Sequence, residues 1–295
     1  MGMNIDNLKM RSNVLQVIRI FFVDRGFVEV ESAINIRCPA NEMFIDAPVL
    51  ADGSFLRCSP ELQMKRIISE GMDKIFQIGS CFREGERGNL HNPEFTMLEW
   101  YRTNSNYMDI LADTKELIRE IALEICGTTT ILYNDNDIDL NNWVTIPVDS
   151  AFEKLAHWCP SKEFDQDRFD LDLINKVEPE LPVGPIVLKD YPVEAAALSK
   201  VSSENPLVAE RWELYIGGME IANAYSELID PVEQRMRFEE AARRRVDMGS
   251  VAYPIDEDFM SCLNKDMPEC GGIALGIDRL VMLFCDAKCI DEVRV

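Results

Sequence analysis

Residues 81–102 read CFREGERGNLHNPEFTMLEWYR, and no other stretch limits the possible folds as strongly. Arg83 is followed by a turn, 84–90, rich in glycine and charge, then by HNPEF and an alternating run. In that run Phe95, Met97, Glu99 and Tyr101 share one face of a strand, because side chains alternate with period two. A carboxylate among large apolar neighbours on a half-buried face is costly unless it meets a cation. The ammonium group of a ligand is the natural partner, and a neighbouring arginine is the bland one.

The rest of the pattern alternates between helical and extended segments. Val14, Ile18 and Phe21 or Phe22 predict an amphipathic helix over 8–25, ended by Gly26 and followed by a strand at 27–30. Residues 60–70 suit a helix after Ser59 as cap, and 75–78 a short strand. A second helix covers 107–125, with Ile110, Leu111, Leu117, Ile118 and Ile121 on its apolar side. Two strands at 211–216 and 219–228 flank Gly217-Gly218, a pair that supplies the positive φ angles of a two-residue hairpin. A charged helix at 231–248, a glycine-rich strand at 271–276 and a helix at 277–284 complete the set. This order predicts an α+β fold with a mainly antiparallel sheet flanked by helices, as one domain over 1–295. The segment 128–205 is weakly patterned, and 128–180 holds twelve Asp/Glu against four Lys/Arg; it reads as a solvated acidic insertion.

Composition narrows the function. Thirty basic against fifty-two acidic residues give a net charge of −22, a poor match for gripping a large nucleic acid. A local basic cleft for a nucleotide is still compatible with that balance. Nine scattered cysteines without a CxxC, and only two histidines, point to buried thiols in a reducing cytoplasm rather than a zinc site. No run of ~18 apolar residues predicts a membrane span, and the N-terminal residues lack the apolar core of a secretory signal.

The order Phe82-Arg83, seven residues, His91-Asn92-Pro93-Glu94-Phe95 resembles motif 2 of the class II aminoacyl-tRNA synthetases in its lysyl form. SPELQMKR at 59–66, ELYIGGMEIANAYSEL at 213–228 and GGIALGIDRLVML at 271–283, similar to motif 3, extend the resemblance over nearly all of 10–295. It implies the class II catalytic fold and ATP-dependent activation of a carboxylate as an acyl-adenylate. Such chemistry is mostly positioning and fixed positive charge. The resemblance implies that Arg83 bridges the substrate carboxylate and the α-phosphate, with His91 and Asn92 reaching phosphates and Phe95 stacking on adenine. It places Arg279 on the other face of adenine and at the γ-phosphate, with Ile221 and Gly276 beside the nucleotide. The usual Arg-x-Glu reads Arg83-Glu84-Gly85 here, so either Glu86, one place late, or the backbone of 84–85 takes the adenine side. For the amino acid it implies Glu61, in the segment with Ser59 and Pro60, at the backbone-side amine, and Glu99, Tyr101 and Glu227 at the terminal ammonium, with Asn223, Tyr225 and Ala274 also at the amino-acid site.

Hairpin geometry bears on magnesium independently. With Gly217-Gly218 as the turn, residue 215 faces 220 and 213 faces 222, which sets Glu213 and Glu220 on one face as diagonal neighbours. Two such carboxylates repel unless a cation joins them, and Mg²⁺ on ATP phosphates is the usual one. Asn223, Tyr225 and Glu227 have the opposite parity to Glu220, so a shared face requires a bulge near Ala222.

The catalytic pattern begins near residue 10, so no anticodon-binding barrel is expected before it, which with the acidic charge argues against tRNA as acceptor. The wording LEWYR, and Ala274 where lysyl-tRNA synthetases carry glycine, are similar to the elongation factor P–(R)-β-lysine ligase family. That implies (R)-β-lysine as substrate and a lysine ε-amine of elongation factor P as acceptor. A homodimer is also implied, although Ala33 stands where motif 1 of these enzymes ends in proline. The alternatives are a lysyl-adenylate former serving tRNA or a small molecule, and a non-catalytic amino-acid sensor. A sensor has no need for Arg83, His91, Glu213, Glu220 and Arg279 together.

Overall fold

The computed structural model describes residues 4–265 and 267–294. Along these the elements are α1 (Ile5–Asp24), β1 (Val28–Glu29), β2 (Asn35–Ile36), β3 (Phe55–Leu56), α2 (Glu61–Ser69), β4 (Lys74–Phe82), β5 (Glu94–Thr103) and α3 (Tyr107–Cys126). There follow β6 (Thr130–Tyr133), β7 (Asn136–Asp139), β8 (Val144–Pro147), α4 (Val148–Leu155), α5 (Gln166–Asp172), β9 (Ile186–Pro192), β10 (Val208–Ile216) and β11 (Met219–Ser226). The chain closes with α6 (Pro231–Asp247), α7 (Glu257–Leu263), β12 (Cys270–Gly276) and α8 (Ile277–Cys285).

Eight strands form one sheet in the order β1-β4-β5-β12-β11-β10-β9-β8. The inner pairs are all antiparallel, and only the edge strands β1 and β8 run parallel to their neighbours. This is the expected α+β arrangement. Period-two alternation divides β5: Leu98 and Trp100 join the main core, with Leu214, Ala222, Ala224, Ile273 and Leu275 from the neighbouring strands. Against them pack Val14, Ile18, Phe21 and Phe22 of α1, each with no exposed surface, together with α3 and α8. Burying each such side chain contributes about 1.5–3 kcal/mol. The other sheet face is covered at its two ends: Leu62, Met64 and Ile68 of α2 meet Phe238 of α6 and Phe259 of α7 at one, and Phe152 of α4 and Phe169 of α5 pack with Ile186 and Leu188 of β9 at the other. The uncovered remainder of that face is free to hold a ligand.

The structure corrects the reading of 128–205 as a solvated insertion. This segment supplies β8 and β9 to the sheet and a core of its own around Phe152, Trp158, Phe169, Val177, Leu188 and Tyr191. Its helical period is hidden because α5 runs into a π-helical turn at Leu173–Val177 and then a 3₁₀ turn at Glu178–Glu180. The acidic residues serve locally: Asp165 caps α5, and Asp172 accepts from the Trp158 indole. Smaller differences are a shorter first strand, Val28–Glu29, and a β4 that continues to Phe82. All nine cysteines are free thiols, and among the described residues no helix is long and apolar enough to cross a membrane.

Candidate active site

Three adjacent strands floor the site. In register, Glu99 of β5 lies opposite Ala274 of β12, and Ala274 lies opposite Asn223 of β11. From this floor Phe95, Met97, Glu99, Tyr101, Asn223, Tyr225 and Ala274 rise into a cavity of about 220 Å³. Ser59, Glu61, Arg83, Glu86, His91, Asn92, Glu220, Ile221, Glu227, Gly276 and Arg279 complete its walls, with Glu42 as a further acidic member.

A β-bulge makes this convergence possible. Tyr215 pairs with Glu220, but Leu214 pairs with Ala222 and Glu213 with Asn223, so Ile221 is the extra residue. The straight ladder expected from the sequence, with 213 opposite 222, is therefore corrected by one place. The extra residue reverses the parity beyond it, sending Ala222 and Ala224 to the core while Glu220, Asn223, Tyr225 and Glu227 share the cavity.

Other expected positions are also corrected. Glu84 and Gly85 are exposed and lie outside the cavity, whereas Glu86 lines it, 3.8 Å from Arg83. Pro60 is buried at the start of α2, behind the wall; Ser59 and Glu61 face inward, and Ser59 Oγ accepts from the Glu61 N–H. Glu213 does not line this cavity. Its carboxylate is held by Arg211 at 2.6 Å and by the hydroxyls of Tyr191 and Tyr215 at 2.6 and 2.7 Å.

One end of the cavity is cationic. The Arg83 guanidinium lies 5.2 Å from the Phe95 ring centre, and its buried Nε has no partner. Arg279 donates to the Glu220 carbonyl at 2.7 Å and approaches the Glu220 carboxylate at 3.4 Å. Its other nitrogen lies 2.7 Å from His91 Nε2. Desolvation, then the charge of Arg279, holds His91 below its ordinary range, so the neutral ring accepts. Burial and the Glu213 charge raise Glu220, against the pull of Arg279 and Arg83. A bare strip remains at Gly276, where an added Cβ would meet only the Ile221 carbonyl, at 3.8 Å. An unpartnered guanidinium nitrogen, a second arginine, an aromatic face and a flat glycine strip fit a nucleoside triphosphate. Among the described residues no three Asp, Glu, His or Cys side chains converge as a metal site. The donors present fit magnesium only with phosphate oxygens completing its shell, and Glu220 is the carboxylate that lines the cavity beside Arg279.

The other end is acidic and buried. Ser59 Oγ and the Tyr101 hydroxyl donate to the two Glu99 oxygens at 2.7 and 2.9 Å. Desolvation, reinforced by the Glu61 charge, pushes Glu99 up to about 8. Burial likewise pushes Glu227 up to about 8, despite the opposing pull of Lys65. Gly272 is required beneath this pair, because a Cβ there would overlap the Glu227 carboxylate and the Tyr101 ring. Lys65 is the functional neighbour that sequence reasoning missed. It is fully buried, with Nζ 2.5 Å from both Glu61 and Glu227. Burial opposes its charge, but the two carboxylates outweigh that and raise it. Its spacing from Glu61, four places on in SPELQMKR, was the available signal.

These shifts predict a linked proton. Carboxyls raised to about 8 are neutral below that pH and charged above it, and a bound ammonium favours the charged form. Binding of an amine ligand such as the sequence predicts is therefore expected to tighten as pH rises towards 8 and to release protons at neutral pH. Titration calorimetry in phosphate and in Tris should give different apparent enthalpies; equal enthalpies would contradict the shifts.

A family model for class II tRNA synthetases (D, K and N) matches residues 3–295. The elongation factor P–(R)-β-lysine ligase of Proteus mirabilis (strain HI4320) is 36% identical over 98% of this chain and 94% of its own length. The enzyme of that name from Photorhabdus laumondii subsp. laumondii is 36% identical with the same coverage. The lysine–tRNA ligase of Pelotomaculum thermopropionicum is 36% identical over 96% of this chain but 61% of its own length.

Proposed function

The chain belongs to the class II tRNA synthetases of the D, K and N group and is an ATP-dependent ligase; from that premise we propose that it activates (R)-β-lysine as an adenylate and transfers it to a lysine ε-amine of elongation factor P. The observation that carries this reading is the union of a cationic, nucleotide-shaped end and a buried acidic end in one cavity. In the first step a carboxylate oxygen attacks the α-phosphorus and pyrophosphate leaves. Arg83 holds the carboxylate and the α-phosphate together, and Arg279 with neutral His91 takes the charge of the departing end. Phe95 stacks on the adenine, with Glu86 at its edge. Magnesium, when bound with ATP, neutralises phosphate charge; Glu220 would hold it, while Glu213 is held by Arg211, Tyr191 and Tyr215.

At the other end Glu99, Tyr101 and Glu227 receive the terminal ammonium, and Glu61 with Ser59 the second amine. The Ala274 methyl stands in the strand between them and favours an amine displaced by one carbon. In the second step the acceptor amine attacks the acyl carbon and AMP leaves, for which the acidic surface favours a basic protein loop. The site works in the cytoplasm in this reading, in a homodimer. Side chains left exposed on α1 and the segment after it, Ile20, Val23, Val28 and Ile34, support a paired surface there.

ATP–pyrophosphate exchange tests the first step. β-Lysine is expected to support exchange, and lysine to support it more weakly. Absence of exchange with both would refute the proposed chemistry.

A further inference from the structure

Lys65 joins the two walls of the acidic end. Glu61 belongs to its own helix, one turn earlier, and accepts a hydrogen bond from Nζ at 2.5 Å. Glu227 comes from the far side, just past β11, where its N–H donates to the Cys270 carbonyl at 2.9 Å. The Lys65–Glu227 pair is equally close, at Glu227 Oε2, and Glu227 Oε1 remains buried without a donor. Buried polar atoms without partners are uncommon and mark the place of a missing donor. One Glu227 oxygen thus lies against Lys65 while the other is open to a donor. The titratable groups facing Lys65 are Glu61 from α2, Glu99 and Tyr101 from β5, Glu227, Cys270 from β12, and Glu42 from the loop before β3.

We propose that Lys65 is a positioning residue that sets the spacing of the two ammonium subsites: it draws Glu61 and Glu227 onto one nitrogen and leaves Glu227 free to accept from the distal amine. This rests on the reading of the cavity as a diamino-acid site. A compact ammonium on a fully buried stem can serve two carboxylates from one point, whereas a guanidinium fork would separate them differently. Without the cation, Glu61, Glu99 and Glu227 would crowd a desolvated pocket, and protons would replace it. Lys65 therefore acts on chain-length preference and on the pH range of substrate binding, without touching ATP.

The test is ATP–pyrophosphate exchange by the parent chain, Lys65→Met and Lys65→Arg, with lysine, β-lysine and ornithine, from about pH 6 to about pH 9. Lys65→Met is expected to raise KM for lysine by roughly 10²-fold, as loss of a buried charge partner does. Its KM for ATP should stay near the parent value, and its acid limb should move to higher pH. Lys65→Arg should keep the parent acid limb but change the ratio of lysine to ornithine. A parent-like lysine KM in Lys65→Met, or lysine and ATP KM rising together, would overturn the assignment. If the methionine variant does not fold, a parent-like lysine-to-ornithine ratio in Lys65→Arg overturns it alone. A parent chain that supports exchange with neither lysine nor β-lysine overturns the diamino-acid reading itself, and this assignment with it.

Discussion

Norleucine is expected to be activated at least ~10⁴-fold less well than lysine, measured as kcat/KM in pyrophosphate exchange. Norleucine is lysine without its terminal nitrogen, so the difference reports the ammonium and the contacts it makes. Without that group Glu227 Oε1 would stay buried with no donor. Its absence would also leave Glu99, already raised to about 8, beside the Glu61 charge with only Lys65 to offset it. Sites built around buried polar contacts reject analogues that lack the contact by 10⁴ or more, about 5.5 kcal/mol. Glu99→Gln keeps the shape and removes the charge, so it should narrow the gap chiefly by weakening lysine. Comparable rates for norleucine and lysine would show that this end of the cavity does not read charge.

Arg83→Ala is expected to slow adenylate formation by roughly 10²–10³, or about 3–4 kcal/mol, the usual cost of losing one preorganised contact to transition-state charge. Arg83 is the better target of the two arginines because its Nε is unpartnered, whereas Arg279 is already braced by Glu220 and His91. Loss should appear chiefly in kcat, since the contact strengthens as charge builds at the α-phosphate in the transition state. Exchange within a few-fold of the parent would remove Arg83 from the reacting end.

Much of this site could be read from the chain because its parts are local or periodic. The alternation of Phe95, Met97, Glu99 and Tyr101 reports a strand with one buried face, and Gly217-Gly218 reports the turn, with φ of 62° and 76°. The bulge at Ile221 was visible only as a conflict of parity, and packing of Ala222 and Ala224 into the core resolves it. What escaped was long-range. The Lys65–Glu227 contact joins residues that no spacing rule connects, although Glu61–Lys65 obeys one. Glu213 has the parity for the cavity, yet Arg211, Tyr191 and Tyr215 retain it, and Tyr191 belongs to the segment whose pattern was unreadable. Motif 2 gave Arg83 and Phe95 directly but left the loop open between Glu86 and the backbone of 84–85, and of these Glu86 lines the cavity.

In the proposed function, the acceptor is what separates this chain from the lysine–tRNA ligases it also resembles. Its net charge of −22 opposes a polyphosphate and favours a basic protein loop, mainly through faster encounter. The direct measurement offers labelled β-lysine and ATP to the protein with elongation factor P and lysine tRNA in the same tube. Label is predicted to appear on the protein, at a lysine ε-amine, more slowly as salt rises, with tRNA at background. Label on tRNA and none on elongation factor P would contradict the proposed function.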